Sequence, residues 1–431
     1  MERFIGIIGI IAIFLICYAL SNNRKAINYR TVGVGFLLQI VLAFFIFKCP
    51  LGEILFTKIG DFICKILEFA KQGGAFVFGP LLDKTRLEEL FGGNYEIFAL
   101  QLICSTIFMM VLVNILYYYG IMQRIVAILG KAMNKIMRVS GAEALSNVAS
   151  AFVGQIVAQI MIKPYLEKLT RSELLASMAG SMACISGAIM PIYIGMLKQV
   201  ISPEVANPAI YILASSVMAV PGAMILAKIV YPETGEPETR DNVRISKRRT
   251  FANVFDGISS GASEGMKVAI NVTAMILALV ALVAFIDWIL GLTGNFLFNF
   301  IPGCSHLTFL PDLSLKLILG KIFSIFAFII GVPLQDISAV GALMGTKIVL
   351  NEMVAYVQLS QIASTIDPKS FMIACFALCS FGNLGSIAIQ IGGIGELAPN
   401  QRKNLARLGV RALICGTLSC YLSAAIVGVL L

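Results

Sequence analysis

The stretch EIFALQLICSTIFMMVLVNILYYYG, residues 96–120, decides the fold class of this 431-residue chain. Its only charged residue is the first one, and it is longer than the ~20 residues that an α-helix needs to cross a ~30 Å hydrocarbon core. Similar runs recur along the chain, which is 58% hydrophobic and 13% charged. Lipid offers no hydrogen bonds to an exposed backbone, and the short alternating segments of a β-barrel do not occur in the sequence. The sequence therefore predicts an all-α polytopic membrane protein.

The basic residues give the predicted orientation in the membrane. The net charge of +9 comes from Lys and Arg that cluster in short loops, at Arg24–Arg30, Arg240–Arg249 and Arg402–Arg411. This distribution is the positive-inside pattern and argues against nucleic acid as a partner. We expect a multi-pass protein of the cell membrane, with the lipid bilayer as its surroundings and both termini extracytoplasmic. The first apolar run is kept as a span because no small-residue cleavage site follows it.

The order of segments predicts about eight transmembrane helices plus two re-entrant hairpins. Two spans and interfacial segments occupy residues 1–94, with short amphipathic pieces and Gly-rich breaks after Cys49. The first repeat, 95–230, holds a hairpin (141–169) and a broken helix (174–196). A cytoplasmic linker, 231–262, precedes the second repeat, 263–431, with its hairpin (331–360) and broken helix (371–390). The hairpins enter from opposite sides, so the repeats are inverted, a pattern that indicates a transporter with its substrate site near the bilayer midplane.

The stretch GTKIVLNEMVAY, residues 345–356, places a carboxylate, Glu352, in the second hairpin. Three interpretations compete: an exposed loop residue, an ion pair with Lys347, or direct substrate binding. Carboxylates inside the membrane usually mark functional sites. A separation of five residues from Lys347 is poor for helical pairing, where three or four is needed. We favour substrate binding, in which Glu352, Asn383 and Ser386 hydrogen-bond to vicinal hydroxyls such as a sugar diol.

At these residues the chain resembles the concentrative nucleoside transporter family, which includes bacterial nucleoside:cation symporters. The resemblance runs from residue 143 to the C-terminus. It rests on GTKIVLNEMVAY, on ALCSFGNLGSIAIQIGG (377–393) and on RLGVRALICGTLSCYLSAAIVG (407–428). It implies a homotrimer that imports nucleosides with H+ or Na+ as the coupling ion and without a cofactor.

The resemblance also implies the roles of individual residues. Glu352, Asn383 and Ser386 would bind ribose, Phe381 would pack nearby, and Gln155 would face the nucleobase. The full set of expected substrate-binding residues is Gln155, Ile156, Val157, Ile189, Asn351, Glu352, Phe381, Asn383 and Ser386. The expected ligands of a sodium ion, if one binds, are Ser150, Val153, Cys184 and Ile185.

The chain departs from the family pattern at two places. Family members continue the first-hairpin motif as Gly-Gln-Thr-Glu-Ala-Pro or Gly-Gln-Ser-Glu, whereas residues 154–159 are GQIVAQ. Two hydrogen-bonding groups become aliphatic, so an altered base preference is expected. Sodium-coupled relatives carry Asn at the position of Ser150 and Ser or Thr at that of Cys184. Because sodium prefers oxygen ligands, we rank proton coupling ahead of sodium coupling.

Other function classes find less support. The single histidine, His306, has no carboxylate near it in sequence, and no GxSxG, HExxH or P-loop motif occurs. The ten cysteines form no CxxC pair and have no histidine at metal-binding spacing, which favours small buried apolar residues over disulfides or metal ligands. We therefore expect no catalytic residues, no metal and no enzyme activity. A channel, a sodium-coupled symporter and a carrier of another hydroxylated solute stay as alternatives.

Overall fold

A computed structural model describes residues 2–83, 86, 87, 89, 97–198, 200, 201, 207–240, 251–300 and 312–431. These residues form helices and no strand, which confirms the all-α fold class. Five described helices are long and apolar enough to cross a membrane: 29–48, 98–118, 208–230, 254–299 and 399–430. The basic cluster of residues 244–249 and the pair Cys304 and His306 lie outside the described residues.

The N-terminal part includes the helices α1 (Glu2–Ala19), α2 (Tyr29–Lys48), α3 (Pro50–Phe78), α4 (Phe98–Tyr118) and α5 (Ile121–Met137). Helix α3 is one continuous helix, so the expectation of short amphipathic pieces with glycine breaks was wrong there. Pro50 occupies its first turn, where a missing N–H is tolerated. Gly74 does not end the helix but lets α4 approach, since a Cβ there would lie 2.4 Å from Cys104 Sγ.

The middle of the chain forms a hairpin and an interrupted helix. The hairpin consists of α6 (Gly141–Val153) and α7 (Gln155–Met161), and it is followed by the short α8 (Lys163–Leu166). The interrupted helix is α9 (Arg171–Ala183) and α10 (Met190–Lys198), and the long α11 (Pro208–Val230) comes next. Capping boxes at Ser140 and Thr170 begin α6 and α9 and satisfy N–H groups that a helix leaves unpaired.

The C-terminal part repeats this order. After α12 (Val254–Phe300) and α13 (Leu315–Ile329) comes a second hairpin, α14 (Ile337–Val349) and α15 (Glu352–Ile362). A second interrupted helix, α16 (Pro368–Leu378) and α17 (Leu384–Leu397), precedes the long α18 (Arg402–Leu430). Helix α12 begins inside the segment expected to be a linker, because Asn253 Oδ1 accepts a hydrogen bond from Asp256 N at 2.9 Å and starts the helix early.

Helices α11 and α18 form the interior, while most of α12 is exposed. Helix α12 packs on α4 through two glycines four residues apart. A Cβ on Gly261 would lie 2.8 Å from Val111 Cα, and one on Gly265 would lie 2.6 Å from Ile107 Cα. This close approach is the small-residue packing that is common between membrane helices.

A buried cation joins the ends of three helices. Lys228, near the end of α11, places Nζ 2.8 Å from Glu143 Oε2 on α6 and 3.4 Å from Glu233 Oε2. The same Nζ donates a hydrogen bond to Ser172 Oγ on α9 at 2.9 Å. The first hairpin and the interrupted helix that follows it are thereby fixed to α11 at their starts.

Candidate functional site

The two helix interruptions meet inside the protein. The first spans residues 184–189 and the second residues 379–383. Phe381 N in the second donates to the Cys184 carbonyl in the first at 3.4 Å. The Cys420 thiol on α18 donates to the carbonyls of Ala183, at 3.2 Å, and of Cys379, at 3.5 Å. Backbone groups released by the two interruptions are therefore satisfied partly by each other and partly by α18.

The tip of the first hairpin lies against the first interruption. Gly154 joins α6 to α7 with φ of +87°, a conformation that favours glycine. A Cβ on Gly154 would lie 3.3 Å from Ser186 Cβ, and Gly187 N donates to the Phe152 carbonyl at 3.0 Å. The sequence GQ at residues 154 and 155 thus makes a tight turn that seats on the interrupted helix.

The tip of the second hairpin carries a buried carboxylate. Glu352 is the first residue of α15 and is 8% exposed. Its Oε1 accepts a hydrogen bond from the Tyr193 hydroxyl on α10 at 3.1 Å, whereas its Oε2 has no hydrogen-bond partner. The ring of Tyr193 stacks on that of Tyr356, with centroids 4.6 Å apart. The Tyr356 hydroxyl donates to the Cys375 carbonyl on α16 at 2.9 Å, which ties the second hairpin to both interrupted helices.

This geometry argues against both interpretations of Glu352 that compete with substrate binding, the exposed loop residue and the ion pair with Lys347. At 8% exposure Glu352 is not a solvated loop residue. Lys347 is fully buried, and its Nζ has neither a hydrogen-bond partner nor an ion pair with Glu352. The chain therefore keeps a carboxylate oxygen and an ammonium group buried near this hairpin tip without pairing them. Buried polar atoms without partners are rare in proteins and call for a reason.

Two asparagines expected to bind substrate cap helices. Asn351 Oδ1 accepts from Val354 N at 3.0 Å at the start of α15, and Asn383 Oδ1 accepts from Ser386 N at 2.9 Å at the start of α17. Asn383 Nδ2 donates to the Phe381 carbonyl at 3.1 Å, and the Ser386 hydroxyl donates to that same carbonyl. Each helix thus begins at an expected site residue, and the positive end of its dipole favours an electronegative group there.

The residues expected near a nucleobase are spread over α7 and its neighbours. Gln155 Oε1 lies 3.4 Å from the donor Gln390 Nε2 on α17. Ile156 packs against α17, since a Cβ on Gly393 would lie 2.5 Å from Ile156 Cδ1. Val157 is 42% exposed. Ile189 is partly buried at the end of the first interruption, where its N–H donates to the Ser186 carbonyl at 3.1 Å.

The residues expected to bind a cation lie where α6 ends and the first interruption begins. Ser150 Oγ donates to the Ser146 carbonyl at 2.8 Å. Cys184 is fully buried and its thiol donates to the Ser216 carbonyl at 3.8 Å. Val153 is the last residue of α6 and is partly buried, and Ile185 is fully buried beside Cys184. The arrangement contains one hydroxyl and one thiol, a poorer set for a hard cation than two oxygens.

Sequence reasoning missed three buried polar residues that contact the expected site. Tyr193 bonds to Glu352, Gln390 bonds to Gln155, and Gln159 bonds to serines next to Ser150. Each is a polar side chain in an apolar run, which is the signal that drew attention to Glu352. The described cysteines are free thiols, and six of them are buried.

Two hairpins whose tips lie on two interrupted helices define a class of protein, the secondary transporter that binds its solute between broken helices. Comparison with known proteins gives the family. A family model described as the C-terminus of Na+ dependent nucleoside transporters matches residues 211–428, and the model of their N-terminus matches residues 8–81. A third model, described as nucleoside recognition, matches residues 99–200. The chain belongs to the concentrative nucleoside transporter family, which confirms the resemblance seen in the sequence.

Relatives cover almost the whole chain. An uncharacterized transporter, YutK of Bacillus subtilis, is 35% identical over 98% of this chain and 98% of its own length. Nucleoside permease NupC of Helicobacter pylori is 35% identical over 98% of this chain and 96% of its own length. The solved structure of CNTnw in an inward-facing substrate-bound state matches with a TM-score of 0.88 and 35% identity, covering 100% of this chain and 98% of that one. This membership confirms a polytopic membrane transporter and not an enzyme.

Proposed function

We propose that this protein imports nucleosides by proton symport. The ribose binds at the tip of the second hairpin and the start of α17, and the base faces the first hairpin. The expected substrate-binding residues keep the roles given to them from the sequence: Glu352, Asn383 and Ser386 for ribose, Phe381 packing beside it, and Gln155 for the base. The proposal adds Tyr193, which orients the Glu352 carboxylate.

One observation carries the ribose assignment: Glu352 Oε2 is buried, has no hydrogen-bond partner and stands at the first turn of α15. A carboxylate oxygen accepts strong hydrogen bonds from hydroxyl groups. The starts of two helices, α15 and α17, are capped by asparagines that belong to the same expected site. A diol placed between them would satisfy the free carboxylate oxygen and would face two positive dipole ends.

The base preference follows from the rewritten first hairpin. Ile156 and Val157 offer no hydrogen bonds, which leaves the Gln155 amide as the polar group of the motif. An apolar contact discriminates between ligands by only ~1–3 kcal/mol, whereas a hydrogen-bonding site discriminates far more strongly. We infer that the carrier accepts several nucleosides with similar affinity rather than selecting one base.

The coupling ion is proposed to be H+. The family model is described as Na+ dependent, and sodium coupling is the alternative. The expected sodium site of this chain has Ser150 and Cys184 where relatives coupled to sodium carry better oxygen ligands, which supports the proton. The proposed orientation, with both termini outside, follows from loop charge, and the proposed homotrimeric assembly follows from family membership. Transport of another hydroxylated solute is the alternative to transport of nucleosides.

Competition tests this proposal most economically. Purified protein in proteoliposomes takes up radiolabelled uridine in the presence of unlabelled purine and pyrimidine nucleosides, free bases, ribose and glycerol. We expect all nucleosides to compete within about tenfold of one another and free bases to compete weakly, because the ribose contacts supply the common part of the affinity. Strong competition by glycerol and none by nucleosides would favour another hydroxylated solute and would refute the assignment.

A further inference from the structure

A closed cluster of polar side chains joins the first hairpin to the interrupted helix. Its five members lie on α6, α7 and α9 and are each no more than 1% exposed: Ser146, Ser150, Gln159, Ser177 and Ser181. All five are uncharged. None of the five is among the residues proposed to contact the ribose or the base.

The Gln159 carboxamide is the centre of this cluster. Its Nε2 donates to Ser146 Oγ on α6 at 3.0 Å and to Ser181 Oγ on α9 at 2.7 Å. Its Oε1 accepts from Ser177 Oγ on α9 at 2.8 Å. Both hydrogens and the carbonyl oxygen of one side chain are therefore used, and together they hold α7 against α6 and α9.

The cluster adjoins the residues expected to hold a cation. Ser150 Oγ lies 3.1 Å from Ser181 Oγ, and that oxygen already accepts the Gln159 hydrogen at 2.7 Å. Ser181 donates its own hydrogen to the Ser177 carbonyl at 2.8 Å. A cation would bind hydroxyl oxygens of α6 and α9 through their lone pairs, and here the Gln159 N–H groups already use one lone pair on Ser146 Oγ and one on Ser181 Oγ. Gln159 stands where the family motif quoted above has proline, which has no such donor.

We propose that Gln159 is a positioning residue that replaces a coupling cation at this joint. The amide draws the hydroxyl oxygens of α6 and α9 together without a charge, so the hairpin is seated on the interrupted helix whether or not sodium is present. This inference rests on the proposed transport function, because sodium independence has a meaning for transport only if the protein is a cation-coupled carrier.

Gln159→Glu tests the proposal with a side chain of the same shape. The substitution exchanges an N–H donor for a carboxylate oxygen, and a buried carboxylate surrounded only by hydroxyls favours a bound cation. At alkaline pH we expect uridine uptake by the variant to rise roughly fivefold or more when choline is replaced by sodium, the lower range of coupling between two sites. For the wild type, the ratio of uptake in sodium to uptake in choline (the sodium ratio) should stay near one.

Gln39→Glu is the matched control. Gln39 is also fully buried and donates to Ser423 Oγ at 3.3 Å and to the Met218 carbonyl at 3.0 Å, but it lies on α2, away from both hairpins. A new buried carboxylate at residue 39 should leave the sodium ratio near one. Sodium dependence in this control as well, or none in a folded Gln159→Glu protein, would overturn the proposal.

Two further measurements distinguish a failure of the Gln159 proposal from a failure of the proposed transport function. Sodium should raise the melting temperature of Gln159→Glu protein without substrate, so the joint is tested even if the wild type carries no nucleoside and the proposed function fails. Should that variant not reach the membrane, Gln159→Leu removes the hydrogen bonds while keeping the bulk. Its amide hydrogen exchange should become faster across 141–161 and stay unchanged across 337–362. Equal exchange in both hairpins would show that Gln159 does not hold the joint.

Discussion

Substitution of Glu352 by glutamine separates substrate binding from structural support. Glutamine keeps the length and shape of the side chain and still accepts the Tyr193 hydrogen bond, which spans 3.1 Å in the wild type. The buried Oε2, which has no partner in the protein, becomes an amide that no longer accepts a hydroxyl hydrogen. We therefore expect a folded protein with a weakened ribose site.

The size of the loss follows from the hydrogen bond removed. A hydrogen bond to a charged group contributes about 1.5–3 kcal/mol. Since 1.4 kcal/mol is a factor of ten, the loss of one such bond lowers uridine affinity by about 10-fold to about 150-fold. The loss of two such bonds would abolish measurable uptake. The assay is equilibrium binding of radiolabelled uridine to purified protein, with the melting temperature and the amount in the membrane measured on the same samples.

Tyr193→Phe is the matched control for this prediction. It keeps the carboxylate and removes only the hydroxyl that orients it, a loss of ~1 kcal/mol or about fivefold in affinity. If Glu352 served only to hold Tyr193, Glu352→Gln would keep that hydrogen bond and would bind uridine and melt as the wild type does, whereas Tyr193→Phe would melt at a lower temperature. Wild-type affinity in Glu352→Gln would therefore refute the ribose assignment.

Four further outcomes follow from the structure. Asn383→Ala should abolish uptake while costing ~1 kcal/mol of stability, the usual loss of a helix cap, as thermal melting would show. Lys228→Met should lower the free energy of unfolding by ~3–5 kcal/mol, because it leaves buried carboxylates without their cation, and a melting curve like that of the wild type would contradict this. Replacing sodium by choline should slow wild-type uptake little and a protonophore should slow it markedly, whereas Ser150→Asn with Cys184→Ser should make uptake faster in sodium. Arg407→Cys, in a cysteine-free background, should resist a membrane-impermeant thiol reagent in intact cells, and rapid labelling would reverse the proposed orientation.

The fold class could be predicted from the sequence because lipid leaves few choices. Long apolar runs must become helices when no water is present to satisfy the backbone. Local errors arose where one residue type serves two purposes. Gly-rich breaks were expected after Cys49, yet Gly74 lies inside α3 and allows Cys104 of α4 to approach that helix. Asn253 lies in a polar stretch typical of a linker, yet it caps α12 and starts that helix early.

The candidate site was predictable only in part. Glu352 stands out in the sequence because a carboxylate in an apolar run is expensive and therefore informative. Its partner Tyr193 lies 159 residues away, and no local pattern shows that α10 and α15 meet. Gln159 belongs to the first-hairpin motif, but its hydrogen bonds to serines of two other helices depend on packing that residue spacing alone does not predict.

Accumulation of radiolabelled uridine by proteoliposomes tests the central claim most directly. An inward proton gradient is imposed on vesicles that hold the purified wild-type protein. We expect saturable uptake that raises internal uridine above its external concentration and that collapses when the gradient is removed. Uridine that only equilibrates across the membrane, at a rate the gradient does not change, would contradict the claim that this protein is a proton-coupled concentrative nucleoside transporter.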